Sequence, residues 1–186
     1  MNDLVFTSFP VLKTARVDLR QVTHEDLAMV FAFNASIEAL RFVAREPYTA
    51  LSQAKEKVQG FLDGFQARKG IWWTFVLRDT GQSIGYGGLF ELDHDFGSGE
   101  VGYGLLPEFW GRGYITEIVE EMVRFGFQEM ELNLITALVV PGNVASEKVL
   151  FNQGFDRVEV LCSHSQARNE RFDMGKFERL NPGLSA

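Results

Sequence analysis

Apolar and polar positions alternate along some stretches of the chain and recur at helical spacing along others. Residues 11–20 alternate towards their end, Val17 and Leu19 against Asp18 and Arg20, and predict one half-buried strand. Thr23 then reads as an N-cap with an acid, Asp26, three residues on, and Leu27, Val30 and Phe31 supply the stripe of a first helix. Residues 36–49 carry little periodicity. Leu51, Ala54, Val58, Phe61, Leu62 and Phe65 share one face of a second helix. Gly60 and Gly64 weaken that helix by roughly 1 kcal/mol each relative to alanine and allow close packing or mobility near a substrate cleft. Strands over 71–77 and 83–92 read as a hairpin around a turn at 79–82. Gly85, Gly87 and Gly88 within it predict a bulge or a close backbone approach. After a loop at 93–99, residues 100–106 form another strand, stopped by Pro107.

The best-defined helix follows. Ile115, Ile118, Val119, Met122, Val123 and Met130 line one side, with Glu117, Glu120, Glu121, Arg124 and Gln128 opposite. The apolar run 133–140 suits a buried central strand. Asn143 is an N-cap for a short helix over 144–153 that Gly154 closes. Residues 155–160 and 170–177 predict two last strands, and 181–186 a frayed tail. The order β, α, α, β, β, β, α, β, α, β, β is a mixed α+β fold with one central sheet.

One junction in this order carries chemistry. Strand 100–106 runs through Pro107-Glu108-Phe109-Trp110-Gly111-Arg112-Gly113 into the helix that opens Tyr114-Ile115-Thr116-Glu117. The first amides of a helix have no internal partner and carry the positive end of its dipole, and glycines let an anion approach them closely. The loop therefore reads as a cradle for a pyrophosphate, although many strand-to-helix turns with two glycines bind nothing. A Rossmann-type dinucleotide site does not fit, because no G-x-G-x-x-G follows the first strand and hairpins replace crossovers.

The length of 186 residues suits one domain, 1–186, and the composition is that of a globular protein. A net charge of -7 argues against nonspecific nucleic-acid binding and suits either solubility or a cationic partner. One cysteine, Cys162, excludes an intrachain disulfide, fits a reducing compartment and reads as a buried strand residue. No metal-ligand spacing appears; His94 between Asp93 and Asp95 reads as a solvated turn. With no membrane span and no signal-type start, the expectation is a cytoplasmic protein.

Three stretches resemble the GNAT acyl-CoA N-acyltransferase superfamily, and within it the RimJ/RimL-type ribosomal-protein N-acetyltransferase branch. They are Thr14-Ala15-Arg16-Val17-Asp18-Leu19-Arg20; Glu100-Val101-Gly102-Tyr103 with Pro107 to Glu117; and Pro141 to Leu150 with Gly154-Phe155. The resemblance covers about residues 10–178. It implies a central, mostly antiparallel sheet whose strands 100–106 and 133–140 splay apart. Acetyl-CoA would sit in the gap, its pantetheine pairing with backbone near Leu105 and Leu106 and its pyrophosphate lying on the amides of Gly111, Arg112, Gly113, Tyr114, Ile115 and Thr116. Trp110 heads this loop, as in the RimJ/RimL-type branch, where the superfamily often has Gln or Arg. Ile115 replaces a residue that is usually small.

The implied activity is acetyl-CoA-dependent N-acetylation of a primary amine: a protein or peptide N-terminus, such as that of a basic protein, or a small amine. A non-catalytic acyl-CoA-binding module on the same fold is the alternative. The implied state is a monomer or a homodimer, with no metal, no nucleic acid and no membrane. An attacking amine must be neutral, so a base helps. By analogy with glutamates in the superfamily that base is Glu100, with Glu91 and Asp93 as fallbacks. Many members use a tyrosine on the last helix as acid; here Leu150 holds that place, and Ser146, one turn earlier, is the candidate, with simple bonding to a cofactor phosphate or to the backbone as its alternative role. Asn143 would cap its helix and bond the pantetheine.

Overall fold

The computed structural model describes residues 1–43, 45–165 and 170–184, with the side chains of 161–165, 170–172 and 184 outside that description. The strands are β1 (Leu12–Lys13), β2 (Val17–Gln21), β3 (Gly70–Leu77), β4 (Ser83–Asp93), β5 (Ser98–Leu105), β6 (Leu134–Val139), β7 (Asp156–Ser165) and β8 (Glu170–Leu180). The α-helices are α1 (Leu27–Ala35), α2 (Leu51–Gln66), α3 (Tyr114–Gln128) and α4 (Val144–Asn152). All the strands join one sheet in the order β1-β2-β3-β4-β5-β6-β8-β7. Every pairing is antiparallel except β5 with β6, which is parallel.

Helices α1 and α2 cover one face. Phe61 of α2 stacks on Trp72, and Phe33 of α1 meets Tyr86 edge-on. Helix α3 covers the other face, where Phe125 packs against Trp73 and Gly126 against Ile135 and Leu89. The glycines of β4 mark close approach: a Cβ on Gly85 would sit 2.2 Å from the Gly104 carbonyl, and one on Gly87 2.7 Å from that of Gly102.

Several expectations shift. The strand predicted over 11–20 is a hairpin, because Thr14 turns the chain, its N–H and hydroxyl both donating to the Val17 carbonyl. Thr23 and Asp26 do form a capping box, on a 3-10 turn that leads into α1. The buried side of α1 is Met29, Val30, Phe33 and Asn34 rather than Leu27, Val30 and Phe31. Its sequence is apolar nearly all round, so periodicity selects no face, and the sheet chooses Phe33 to fill the space above Gly104. The tail is held at its start: the Asn181 side chain donates to the carbonyls of Leu132 and Phe127 and its N–H to Asn133, before a 3-10 turn at Pro182–Leu184. Cys162 lies in β7, and its burial falls outside the described residues.

Candidate active site

Strands β5 and β6 pair only at Ser98↔Leu134, Gly99↔Ile135 and Glu100↔Thr136. Beyond that fork, Val101 to Leu105 keep β4 on one side and lose β6 on the other. The Leu106 N–H donates to the Ile84 carbonyl. Alternation along an antiparallel strand then turns the backbone groups of Leu105, Tyr103 and Val101 towards the gap. The Leu105 carbonyl receives the Trp110 indole N–H at 2.8 Å. Of the two expected backbone partners, Leu105 thus keeps its N–H towards the gap, whereas the N–H of Leu106 is committed to the sheet.

The glycine loop lies at the mouth of this gap. Gly111 and Gly113 take φ of 71° and 79°, the left-handed region that L side chains resist. Gly113 is the N-cap of α3, and among the described residues no side chain caps the helix. By contrast, Thr23 and Asn143 cap their helices with side-chain oxygens. The first amides of α3, from Tyr114, Ile115 and Thr116, are therefore without the side-chain partner that such a terminus commonly has, as an anion site requires.

Arg16 fastens the loop, which the sequence did not reveal. Its Nε donates to Glu117 Oε1 at 2.7 Å, its backbone N–H to Glu117 Oε2, and its Nη1 to the Arg112 carbonyl at 3.0 Å; its guanidinium lies 4.5 Å from the Tyr114 ring centroid. Glu117, read from the pattern as a solvent-facing helix residue, is the acid end of that clamp. Across the gap, Asn143 accepts the Ser146 N–H and fixes the first turn of α4, and Leu150 is fully buried.

Glu100 stands at the fork. It is the register partner of Phe90, so the two side chains share a face, and Phe90 stacks on Trp72 on the α1/α2 side. Burial first, and then the like charge of Glu91, push the Glu100 carboxyl up to about 7. Glu91 has a φ of 49° at the irregularity between Phe90 and Asp93. The fallback Asp93 instead caps its own turn, accepting the N–H groups of Asp95 and Phe96.

The same face carries groups that the pattern did not single out. Asn34 is fully buried, bonded to Tyr86 and to Arg45. Lys57, over the rings of Phe61 and Tyr86, is pushed down to about 7 by burial and by Arg45. A cavity of about 540 Å³ on this face is lined by Gly60, Gly64, Trp72, Phe90 and Glu91 among others. The two helix glycines border that cavity, and a Cβ on either would meet nothing within 4 Å.

On the opposite face, Tyr103 is the register partner of Gly87, itself opposite Trp73, and so points towards α3. Its hydroxyl is buried with no hydrogen-bond partner among the described residues. Burial pushes the phenol up to about 12; Ser146 is near enough to oppose that shift without meeting hydrogen-bond geometry. His94 is exposed on its turn, as expected, with its ring nitrogens 3.1 Å from Asp3 Oδ1 and 2.7 Å from the Arg68 carbonyl. Among the described residues no group of three or more His, Cys, Asp or Glu could hold a metal ion, and no helix is long and apolar enough to cross a membrane.

Comparison with known proteins gives the family. The family described as acetyltransferase (GNAT) domain matches residues 16–156. The uncharacterized N-acetyltransferase YoaA of Bacillus subtilis is 32% identical over 174 residues, covering 94% of this chain and 98% of that protein. RimL, a ribosomal L7/L12 alpha-N-protein acetyltransferase solved with coenzyme A, superposes with a TM-score of 0.82 at 13% identity, covering 92% of this chain and 98% of that one. Spermidine N-acetyltransferase from Vibrio cholerae, solved with CoA and spermine, superposes with a TM-score of 0.79 at 17% identity, covering 90% and 97%. At those identities the two structures share the fold.

Proposed function

The chain belongs to the GNAT acetyltransferase family and is thus an acetyl-CoA-dependent enzyme, and from that premise we propose that it acetylates a primary amine by direct attack on the thioester, with Glu100 as base. The observation that carries this reading is the position of Glu100. It is a half-buried carboxylate at the fork of β5 and β6, with its proton held to about 7. A base poised near working pH is ionised in a substantial fraction beforehand and can accept the proton that an ammonium must shed.

The amides of Gly111 to Thr116 receive the pyrophosphate, with the Arg16–Glu117 clamp holding the loop in shape. The exposed backbone edge of Tyr103 and Leu105 pairs with the pantetheine, and Leu106 and Trp110 close the end of that edge. Asn143 orients the first turn of α4 and with it Ser146. The thioester supplies an activated acetyl group; this chain orients it and manages the protons. The acceptor approaches from the α1/α2 face, where Glu100 and Glu91 stand. The net charge of -7 suits a cationic acceptor, such as a basic N-terminus or a small amine.

The test begins with acetyl-CoA titrated against the protein, with NADH and ATP as controls. Ligand at about 100 times its Kd is expected to add about 2.7 kcal/mol of stability. A panel of peptide N-termini and small amines follows. Glu100→Gln that retains wild-type turnover from about pH 6 to about pH 9 would falsify the assignment of the base.

A further inference from the structure

Strand alternation puts two polar side chains on opposite faces of β5, one at the fork and one just beyond it. Glu100 points to the α1/α2 face, and Tyr103, three residues or about 10 Å further along, to the α3/α4 face. Tyr103 lies in the stretch of β5 that β6 has left, and its hydroxyl is shut off from solvent without a partner among the described residues. An unpaired buried hydroxyl opposes folding, and a phenylalanine would fill most of the same space without that cost. Ser146 stands nearby on a turn that Asn143 holds. Leu150, by contrast, is an apolar residue with no proton to share.

We propose that Tyr103 is a catalytic hydrogen-bond donor whose hydroxyl faces the departing sulfur and stabilises its charge, with Ser146 flanking it. This rests on the acetyl-transfer reading above. In the step, the amine nitrogen forms a bond to the acetyl carbon and the C–S bond breaks with its electron pair left on sulfur. Glu100 takes the proton that the nitrogen loses, and the thiolate gains one from water after release. Magnitudes decide between donating a hydrogen bond and transferring the proton outright. A phenol held at about 12 lies about 3.5 pH units above an ordinary thiol near 8.5, so outright transfer runs uphill and the hydroxyl keeps its proton. Preorganised donors of this kind typically change rates by about 100- to 1000-fold.

The test compares Tyr103→Phe with wild type, with Ser146→Ala alongside. Thermal unfolding of Tyr103→Phe without ligand is expected at an equal or higher Tm, since an unpaired hydroxyl is removed; a Tm lower by several degrees would make the hydroxyl structural and overturn the proposal. Calorimetry at about pH 9.5, where an ordinary thiol is largely ionised, is expected to show weaker binding of coenzyme A and unchanged binding of acetyl-CoA. Equal loss of both, or of neither, overturns it. The acetyl-CoA KM stays within about threefold while kcat falls at least about tenfold. A basic limb in the wild-type kcat profile that Tyr103→Phe abolishes would show true proton transfer and overturn the donor role. Wild-type protein that binds neither ligand defeats the acetyl-transfer reading itself, a result separate from any difference between the variants.

Discussion

Glu100→Gln is expected to inactivate the enzyme and at the same time stabilise it, by an amount that depends on pH. In the folded protein the carboxyl holds its proton to about 7 against an ordinary 4.5. A group with a raised folded value favours the folded state while protonated and opposes it once ionised. The stability it supports is complete below about pH 4.5 and is lost as pH climbs through about 7. The difference, about 7 less 4.5, is about 2.5 pH units, or about 3.4 kcal/mol at 1.36 kcal/mol per unit. Local relaxation and water penetration reduce this to about 2 kcal/mol. The neutral amide of glutamine escapes that cost. Ligand-free wild type and variant should therefore melt together near pH 4.5, with the variant higher by roughly 4–8 °C at pH 8.5 for a chain of this size. Thermal unfolding by circular dichroism in a pH series is the assay. A Tm difference that does not change with pH, or a variant less stable than wild type at pH 8.5, would refute the reasoning that burial and Glu91 hold the proton.

Other expectations follow from the same geometry. Gly64→Ala adds a Cβ into open space within α2 and should raise stability by about 1 kcal/mol in urea unfolding with an unchanged m-value. Gly113→Ala forces a side chain to a φ of 79°; it should cost about 1–2 kcal/mol of stability and weaken acetyl-CoA binding measured by calorimetry. Arg16→Ala breaks a pair whose arginine side chain is 50% exposed, so stability should change by less than about 1 kcal/mol. The loop loses its clamp, however, and the acetyl-CoA KM should rise with little change in kcat. Adding Glu117→Gln to Arg16→Ala should then have little further effect on either constant.

Much of the scaffold was legible in advance because its signals are local. The apolar stripe of α3, the runs of β3 and β6, the Thr23 and Asn143 caps and the Gly-x-Gly loop ahead of α3 each depend on residues a few positions apart. Where the pattern lost contrast, the expectation moved. Helix α1 is apolar on nearly every side, so only the sheet beneath it selects Phe33 and Asn34 for burial. Alternation over 11–20 is interrupted by a turn that Thr14 makes with its own hydroxyl. The site was legible in part: Glu100, Asn143, Ser146 and the glycine loop could be named as candidates, but nothing local pointed to Tyr103.

The sequence by itself determined most of the strands and helices, though not the turn within 11–20, and where α3 begins with its amides uncapped, and it put a carboxylate, Glu100, near the start of β5. Periodicity, capping and glycine conformation operate within a turn or two of the chain. Only the tertiary structure decided that β8 lies between β6 and β7, at which residue β5 and β6 part, and that Arg16 reaches Glu117 to hold the loop. It also brought Glu91 against Glu100, and Tyr103 towards Ser146 on the opposite face. These are meetings of residues set by strand register and by which face packs on which helix. A one-residue change in register would exchange every one of those faces, so no local pattern can specify them.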